Sequence, residues 1–536
     1  MKKLNWMRAI KAWTKVVGDY YIMTDSESLA AYESNVSGLK HKIPVVLRPA
    51  STEEVVALVK VANRFKTPLY PISTGMNWGF GSRLPVSEDC AVVDLGRMNR
   101  ILEVNAEQQY AVIEPGVTQK QLYEYLQEQD IPLLLNVTGS AAETSIIGNS
   151  LERGIGYFES RAEALSGMEV VLGTGEVIRT GFGHFENSRC SYTYRHGVGA
   201  GLDGLFSQSN FGIVTSAGID LMPKPDTQSV FVIRVEREEN LGDLIDALAG
   251  LLRDGVVGSV IHVGNFARAR IAMSPFIYDR LIKRGMSKED AFAASERYLE
   301  EEGFGPWSAV AGLMGSRSRI ALAKREIRSA MRGVGSVMFL SEFLIKFGRL
   351  ALAPLQFMPS MRRKRIILEA VEAQHDFSTC VPTSVSMQSV CWPVEKRTYE
   401  WPYEPDRTRS GMLYVVPFCP LRRDDVIEMV KYANEICDEF GFEPYITLNT
   451  VNRRCVEAVI NIAFDREDSE QSEQAQLCAD KMLERYLETG MIPYRVGVQD
   501  MSRLIKESDK FWCAVRDLKT AVDPRRIISP QRYNLV

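Results

Sequence analysis

The stretch Leu69-Tyr70-Pro71-Ile72-Ser73-Thr74-Gly75-Met76-Asn77-Trp78-Gly79-Phe80-Gly81-Ser82 most constrains what this chain can fold into. An apolar, strand-like run enters a loop in which Gly75, Gly79 and Gly81 free the backbone to turn tightly. Ser73, Thr74, Asn77 and Ser82 add hydrogen-bonding groups. Successive backbone N–H groups in such a turn converge on an anion without a lysine. A glycine-rich turn without a ligand has the same composition, so the loop alone admits both readings. It lacks the Gly-Lys-Ser/Thr ending of a P-loop, and its glycine spacing is not G-x-G-x-x-G. Cys90 to Leu95 then reads as another buried strand and not as a helix. A bound phosphate would rest on loop amides between strands.

The chain is long enough, at 536 residues and 45% hydrophobic, for more than one domain with a large core. Its 64 basic and 68 acidic residues give a net charge of -4, which offers nucleic acid no general attraction. Nine cysteines without a C-x-x-C pair point to reduced thiols and a cytoplasmic setting, with no metal site. The Met1-Lys2-Lys3 start resembles a signal peptide, but Arg8, Lys11 and Lys15 interrupt the apolar run it needs. An amphipathic helix is expected there. No apolar stretch approaches the ~20 residues of a spanning helix.

Read in order, Pro44 to Leu47 is a strand, Ser51-Thr52-Glu53-Glu54 a capping box, and the helix behind it turns Leu58, Ala62 and Phe65 inward. Tyr110 to Glu114 is a strand ending at Pro115-Gly116, with Thr118 and Gln121 capping the next helix. Gly173-Thr174-Gly175 turns a hairpin between Met168–Leu172 and Glu176–Arg179. Pro223-Lys224-Pro225-Asp226 marks a boundary. Beyond it, strands at 230–235 and 256–263 enclose a helix at 241–252, and the last third alternates strands with helices at 424–440 and 473–489. The segment 337–365 combines a broad apolar face with Arg362-Arg363-Lys364-Arg365. It suits a membrane surface, a partner subunit or a buried helix pair.

In this order, Met98-Asn99-Arg100, Glu114-Pro115-Gly116-Val117-Thr118, Gly148-Asn149, Glu152-Arg153-Gly154-Ile155-Gly156-Tyr157, Gly167 to Leu172, Asp203 to Asn210 and Val522-Asp523-Pro524 resemble one family. It is the FAD-linked oxidoreductases typified by vanillyl-alcohol oxidase and p-cresol methylhydroxylase. The resemblance implies an α+β, two-domain fold: an FAD-binding domain of two α/β subdomains over 1–226, completed by 494–536, and a cap domain with an antiparallel sheet over 227–493. The opening loop then becomes the pyrophosphate cradle. By the same matching, Pro71, Ser73, Thr74, Gly75, Met76, Asn77, Gly79, Phe80, Gly81, Ser82, Pro115, Gly139, Ser140, Ser145, Gly148, Asn149, Gly154, Gly212, Ile213, Val214 and Arg532 are candidates for holding FAD.

The family removes hydride from a carbon of a small donor, often the benzylic carbon of a para-substituted phenol. Tyr494 and Arg495 match its Tyr-Arg pair, implying that Tyr494 orients the donor and Arg495 stabilises the anionic reduced flavin. A second phenolate-binding tyrosine is replaced by Phe80, which cannot hydrogen-bond an oxyanion. The aspartate near flavin N5 is replaced by Ser140, with Glu143 close by. Glu400 matches an acidic residue of the cap once a gap is allowed. Leu413 stands at the tethering histidine and cannot form a bond, so FAD is expected to be held non-covalently, with Tyr414 the neighbouring alternative tether. His262 lies on a strand expected to reach the cap pocket, as a satisfied core histidine or a catalytic one.

Two other readings stay open: a flavoenzyme acting on a non-phenolic alcohol, hydroxy acid or biosynthetic intermediate, and a flavin-binding protein whose catalysis has lapsed. The electron acceptor is left open between oxygen and a redox protein. Family members often form dimers, so a homodimer is expected.

Overall fold

The computed structural model describes residues 2–355 and 357–536. Met1, in the signal-like start, and Gln356, inside 337–365, lie outside the described residues. The chain begins with the amphipathic helix Lys2–Val17, whose fully buried Trp13 donates from Nε1 to the Leu58 carbonyl at 3.0 Å. Leu58 belongs to the helix Thr52–Phe65. That helix starts because the Ser51 hydroxyl accepts the Glu54 N–H; the Glu54 carboxylate reaches back to the Ala50 amide at 2.8 Å, one residue short of a closed capping box. It stops at Lys66, in the left-handed conformation.

The helix buries Val55, Leu58, Val59 and Ala62 in a core shared with strands Val46–Leu47, Leu69–Ile72 and Ala91–Asp94. These strands pair in parallel, with Ala91–Asp94 central, and Ile22–Met23 adds an antiparallel edge. A second sheet has five antiparallel strands in the order Ile101–Asn105, Tyr110–Ile113, Gly212–Asp220, Leu165–Leu172 and Val177–Arg179. The last two strands are the hairpin turned at Gly173-Thr174-Gly175.

The third sheet has eight antiparallel strands. Its path runs Ser336–Leu340, Thr227–Val235, Trp307–Gly315, His262–Asn265, Tyr445–Asn452, Cys455–Asp465 and Ser410–Val415, with Phe418–Pro420 also on Cys455–Asp465. Side chains alternate across a strand, and here the alternation divides two environments. Phe231, Ile233 and Val235, Trp307, Ala309 and Ala311, and Val456, Ala458, Ile460 and Ile462 enter the core beneath the helices Leu241–Arg253, Arg423–Phe440 and Ser469–Glu488. Val230, Val232 and Arg234, Ser308 and Val310, and Glu457, Val459 and Asn461 face a cavity on the other side.

The strand expected over 256–263 is only His262–Asn265. Val257, Val260 and Ile261 are buried, but the Val260 N–H goes to the Tyr157 carbonyl and the Ile261 N–H to Thr450 Oγ1, so the run crosses between sheets before joining a ladder. The 337–365 segment splits into the end of an edge strand, the helix Glu342–Leu352 and the start of the helix Pro359–Ser378.

The tail is stitched back into the first part of the chain. The Ile528 backbone bridges to Leu69, the Leu69 N–H goes to the Ile527 carbonyl, and the Ser529 N–H goes to the Leu69 carbonyl. On the helix Lys510–Val522, the fully buried Lys519 ammonium donates to Asp523 at 2.6 Å, to the Ile528 carbonyl at 2.9 Å and to the Asn210 carbonyl. Asp523 also accepts the Ile527 and Ile528 N–H groups.

Candidate functional site

Two cavities meet at Met76, Asn77 and Asn149, which line both. The first follows the loop after Leu69–Ile72: Pro71, Ser73, Thr74, Gly75 and Ser82 border it, with Pro115, Ser145, Gly148, Gly212, Ile213, Val214 and Arg532. Thr74 Oγ1 accepts the Ser145 N–H at 3.1 Å. The Ser145 hydroxyl donates to the Pro115 carbonyl at 2.6 Å and accepts the Gly148 N–H at 2.9 Å. These hydroxyls hold the wall together. A Cβ on Gly148 would lie 2.2 Å from Ser73 Oγ, so only glycine permits this approach. The N–H groups of Thr74, Gly75, Met76 and Asn77 find no protein acceptor among the described residues, and Asn149 Oδ1 is buried without a partner. Arg532 pairs with Glu152 and donates to the Tyr70 hydroxyl at 2.7 Å.

The second cavity, of about 430 Å³, lies between that loop and the open face of the eight-stranded sheet. Phe80, Gly139, Ser140 and Gly154 border it, together with Tyr414, His262, Tyr494 and Arg495. The Phe80 and Tyr414 rings stack, and the Arg495 guanidinium lies 4.0 Å from the Phe80 centroid. Arg495 donates to Asn77 Oδ1, and its Nε is 3.6 Å from the Glu152 carboxylate. A cation is thus fixed at the junction of the two cavities by a ring, an amide and an acid.

Across three neighbouring strands the register aligns His262 with Asn449 and Asn449 with Glu457. Asn449 Nδ2 donates to Glu457 Oε1 at 2.7 Å, which leaves Asn449 Oδ1 to face His262 Nδ1 at 2.6 Å. His262 Nδ1 therefore carries the proton. Burial and the nearby Arg268 cation depress the His262 pKa to about 4, so the ring is neutral, with its Nε2 lone pair unpartnered. Burial raises the Glu457 carboxyl to about 7, against the opposing pull of Asn449, Tyr494 and Arg495. Glu457 Oε2 also has no partner. Tyr494 is pushed well above the usual phenol range by burial and by the Glu457 charge, so its hydroxyl stays protonated. Proton acceptors and a donor thus converge on one cavity face.

Gly79 and Gly81 line neither cavity. A Cβ on Gly79 would meet the Tyr414 ring at 1.6 Å and one on Gly81 the Val498 side chain at 2.5 Å, so both glycines let the loop lie flush on its neighbours. Glu400 is exposed and lines neither cavity. Its loop packs inward through Tyr399, Trp401 and Tyr403, which cluster with Met76 and Trp78. Glu143 does not take the place of the missing aspartate: its carboxylate accepts from Trp401 Nε1 at 3.1 Å and Ser384 Oγ at 3.0 Å. Leu413 faces the core, whereas Tyr414 faces the cavity.

Sequence reasoning missed Glu457, Asn449, Asn461 and Arg268. A signal was present in Cys455-Val-Glu-Ala-Val-Ile-Asn-Ile-Ala-Phe-Asp465, where Glu457 and Asn461 interrupt an otherwise apolar strand on the same face.

Residues 43–181 match the family described as FAD binding domain. Over 98% of its length the chain is 32% identical to the 1'-carboxy-chondrochloren decarboxylase of Chondromyces crocatus, covering 97% of that protein. It is 26% identical, over 98% of this chain and 95% of the other, to the 4-cresol dehydrogenase [hydroxylating] flavoprotein subunit of Pseudomonas putida. The fold superposes on the 4-ethylphenol oxidase of Gulosibacter chungangensis with a TM-score of 0.85 at 25% identity, covering 99% of this chain and 97% of that one. The chain belongs to the vanillyl-alcohol oxidase and p-cresol methylhydroxylase family of FAD-linked oxidoreductases, with its two-domain α+β fold. It is an FAD-dependent enzyme acting on small organic substrates.

Proposed function

We propose that this enzyme oxidises an aromatic donor carrying an ionisable hydroxyl, taking hydride from a carbon conjugated with it, with Glu457 as the general base. The observation that carries this reading is the unpartnered Glu457 Oε2 facing the cavity beside Tyr494 and Arg495. The free amides of Thr74 to Asn77 and the backbone-thin wall at Gly148 support the first cavity as the pyrophosphate cradle, and the shared border at Met76, Asn77 and Asn149 supports a flavin reaching from it into the second. Bound there, FAD supplies the hydride acceptor. Glu457 takes the hydroxyl proton of the donor, and the Tyr494 O–H donates to the oxyanion left behind. Arg495, held by Phe80, Asn77 and Glu152, provides positive charge where the electron pair arrives. Residues 227–493 act as the cap and 1–226 with 494–536 as the cofactor domain.

With Leu413 turned into the core and the Tyr414 ring stacked on Phe80, we propose that FAD is held without a covalent bond; after acid precipitation the yellow colour should stay in the supernatant, and colour in the precipitate would make Tyr414 the tether. Mixing the yellow protein anaerobically with 4-alkylphenols tests the rest. Bleaching of the flavin absorbance supports the reading, and indifference to every phenol while a 2-hydroxy acid bleaches it would move the donor to another class.

The name of the Chondromyces crocatus relative favours a second outcome of the same chemistry, loss of CO2 from a carboxylated donor, and the cavity-lining Arg268 agrees with it. In that case the C–COO⁻ electron pair becomes a C=C bond as hydride leaves the adjacent carbon, and CO2 release accompanies bleaching.

The flavoprotein-subunit name of the Pseudomonas putida relative supports a redox protein as electron acceptor. The helix Glu342–Leu352 turns Phe343, Phe347 and Leu350 to solvent, which supports contact of 337–365 with a membrane surface or a second copy in a homodimer. The adjoining cations support it less, because Arg363 pairs with Glu301 and Glu302, and Arg365 with Glu369. Among the described residues, no helix is long and apolar enough to cross a membrane. Disulfide-free cysteines support a cytoplasmic setting.

A further inference from the structure

The second cavity holds a cation that the proton and hydride steps above do not use. Arg268 lines it, yet no carboxylate lies within ion-pair distance of the guanidinium among the described residues, and Nη1 is buried without a hydrogen-bond partner. An uncompensated guanidinium in a protein interior is unfavourable and persists only where something else stabilises it. Its position adds to the cost. Arg268 is the third residue of the helix Phe266–Ile282, and its N–H is capped by the Asn265 side chain. A helix N-terminus already carries partial positive charge and favours anions. The Phe266 and Arg268 amides go to the Pro306 carbonyl and the Asn265 side chain, so the guanidinium sits at the positive end of a helix with no carboxylate beside it among the described residues.

Arg268 packs beside Gly264 on the strand His262–Asn265, and Glu457 stands two strands away across Tyr445–Asn452. Glu457 feels Arg495 and Tyr494, and Arg268 is not among the charges acting on it. Arg268 instead has Tyr157 and Tyr414 as its electrostatic neighbours and lies close enough to His262 to disfavour a second positive charge there. Val459 lines the cavity on the Glu457 strand, while Val230, Val232 and Val310 line it on the other side of His262–Asn265. Glu457 takes a proton from a hydroxyl, and two strands away Arg268 offers a cation with no carboxylate partner among the described residues.

We infer that Arg268 is the binding site for a carboxylate on the donor, carried at the end remote from the ionisable hydroxyl. One guanidinium without a carboxylate partner matches one negative charge, and the other cavity-lining arginines are engaged, Arg234 with the Glu302 carbonyl and Arg495 with Asn77 and Glu152. The assignment rests on the proposed donor chemistry for the other end of the molecule, but it holds whether the carboxylate is kept or lost in turnover. Arg268 is a specificity-determining residue in this scheme, not a proton or hydride carrier.

The test compares binding of p-hydroxyphenylpropanoate and its carboxamide to the holoenzyme by calorimetry, in wild type, Arg268→Gln and Arg268→Lys. Wild type should bind the carboxylate about 10- to 100-fold more tightly than the amide, as expected for hydrogen bonds to a charged group. Arg268→Gln should erase that ratio while leaving amide affinity within about threefold, and Arg268→Lys should recover part of it. Equal affinity of the two probes in wild type overturns the assignment. So does an unchanged ratio in Arg268→Gln, even if that variant unfolds at lower temperature. Flavin bleaching is scored separately: a preserved carboxylate preference with no bleaching by any phenol refutes the donor chemistry and leaves the anion site standing.

Discussion

Phe80 and Tyr414 stack with centroids 5.2 Å apart and planes 8° from parallel, joining the loop that follows Leu69–Ile72 to a strand of the large sheet more than 300 residues later in the chain. The Arg495 guanidinium rests on the open face of Phe80. Three distant segments thus fix one another where the cavities meet, and the ring of Phe80 is retained although its position carries no hydroxyl.

Replacing that ring should loosen the cation. Phe80→Leu removes both the stack and the cation–π contact, together about 1 to 3 kcal/mol. The expected result is a lower unfolding temperature and a slower flavin reduction, measured by thermal melts and anaerobic stopped flow. Gly79→Ala should be worse. Its φ of +78° disfavours any side chain, and its new methyl would sit inside the Tyr414 ring, so a loss of at least about 2 kcal/mol is expected in the same melts.

Arg495→Gln keeps a hydrogen-bonding side chain and removes the charge. The rate of flavin reduction should fall by about 10²- to 10³-fold, with a much smaller change in donor affinity. A change confined to affinity would remove Arg495 from the charge-stabilising role.

Glu457 sets a pH signature. Flavin reduction in wild type should rise through a pH of about 7 as the carboxyl ionises, and Glu457→Gln should flatten that profile and slow the reaction by about 10²- to 10⁴-fold. Asn449→Ala removes a donor that favours the ionised form, so the inflection should move upward. Stability follows the same titration. A carboxyl whose folded pKa is raised contributes stability that is full below its unfolded value and is lost as pH rises through about 7. Glu457→Gln should therefore gain on wild type between pH 5 and 8, by on the order of 3 kcal/mol, in urea melts.

Lys519→Met leaves the Asp523 carboxylate buried without its cation, and should cost about 3 to 5 kcal/mol. The double variant Lys519→Met with Asp523→Leu should recover part of the loss. The remainder measures the Ile527 and Ile528 amides that Asp523 no longer accepts.

Much of the first cavity's lining was legible because its residues cluster in sequence. Glycines, small hydroxyls and the Ser145 and Thr118 caps carry local rules that a short window displays. The donor side was harder to read because His262, Asn449 and Glu457 become neighbours only through strand pairing. Tyr494 and Arg495 were found through their family pair and not by their own pattern. Glu400 misled because an acidic residue in an aromatic-rich loop gives no sign of which side chains turn inward. The apolar run 256–261 misled for a related reason: burial favours β-type sequence, whereas ladder formation needs a partner edge, and of this run Ile261 alone meets one, accepting the Thr450 N–H.

The stitched tail is part of the site as well as of the fold. Arg532 and Ser529 border the first cavity, and Lys519 and Asp523 hold that tail in place. The parallel strands and the glycine loop alone leave the first cavity without the wall that Ser529 and Arg532 supply. Weakening the Lys519 and Asp523 pair should therefore loosen the first cavity as well as the tail that borders it.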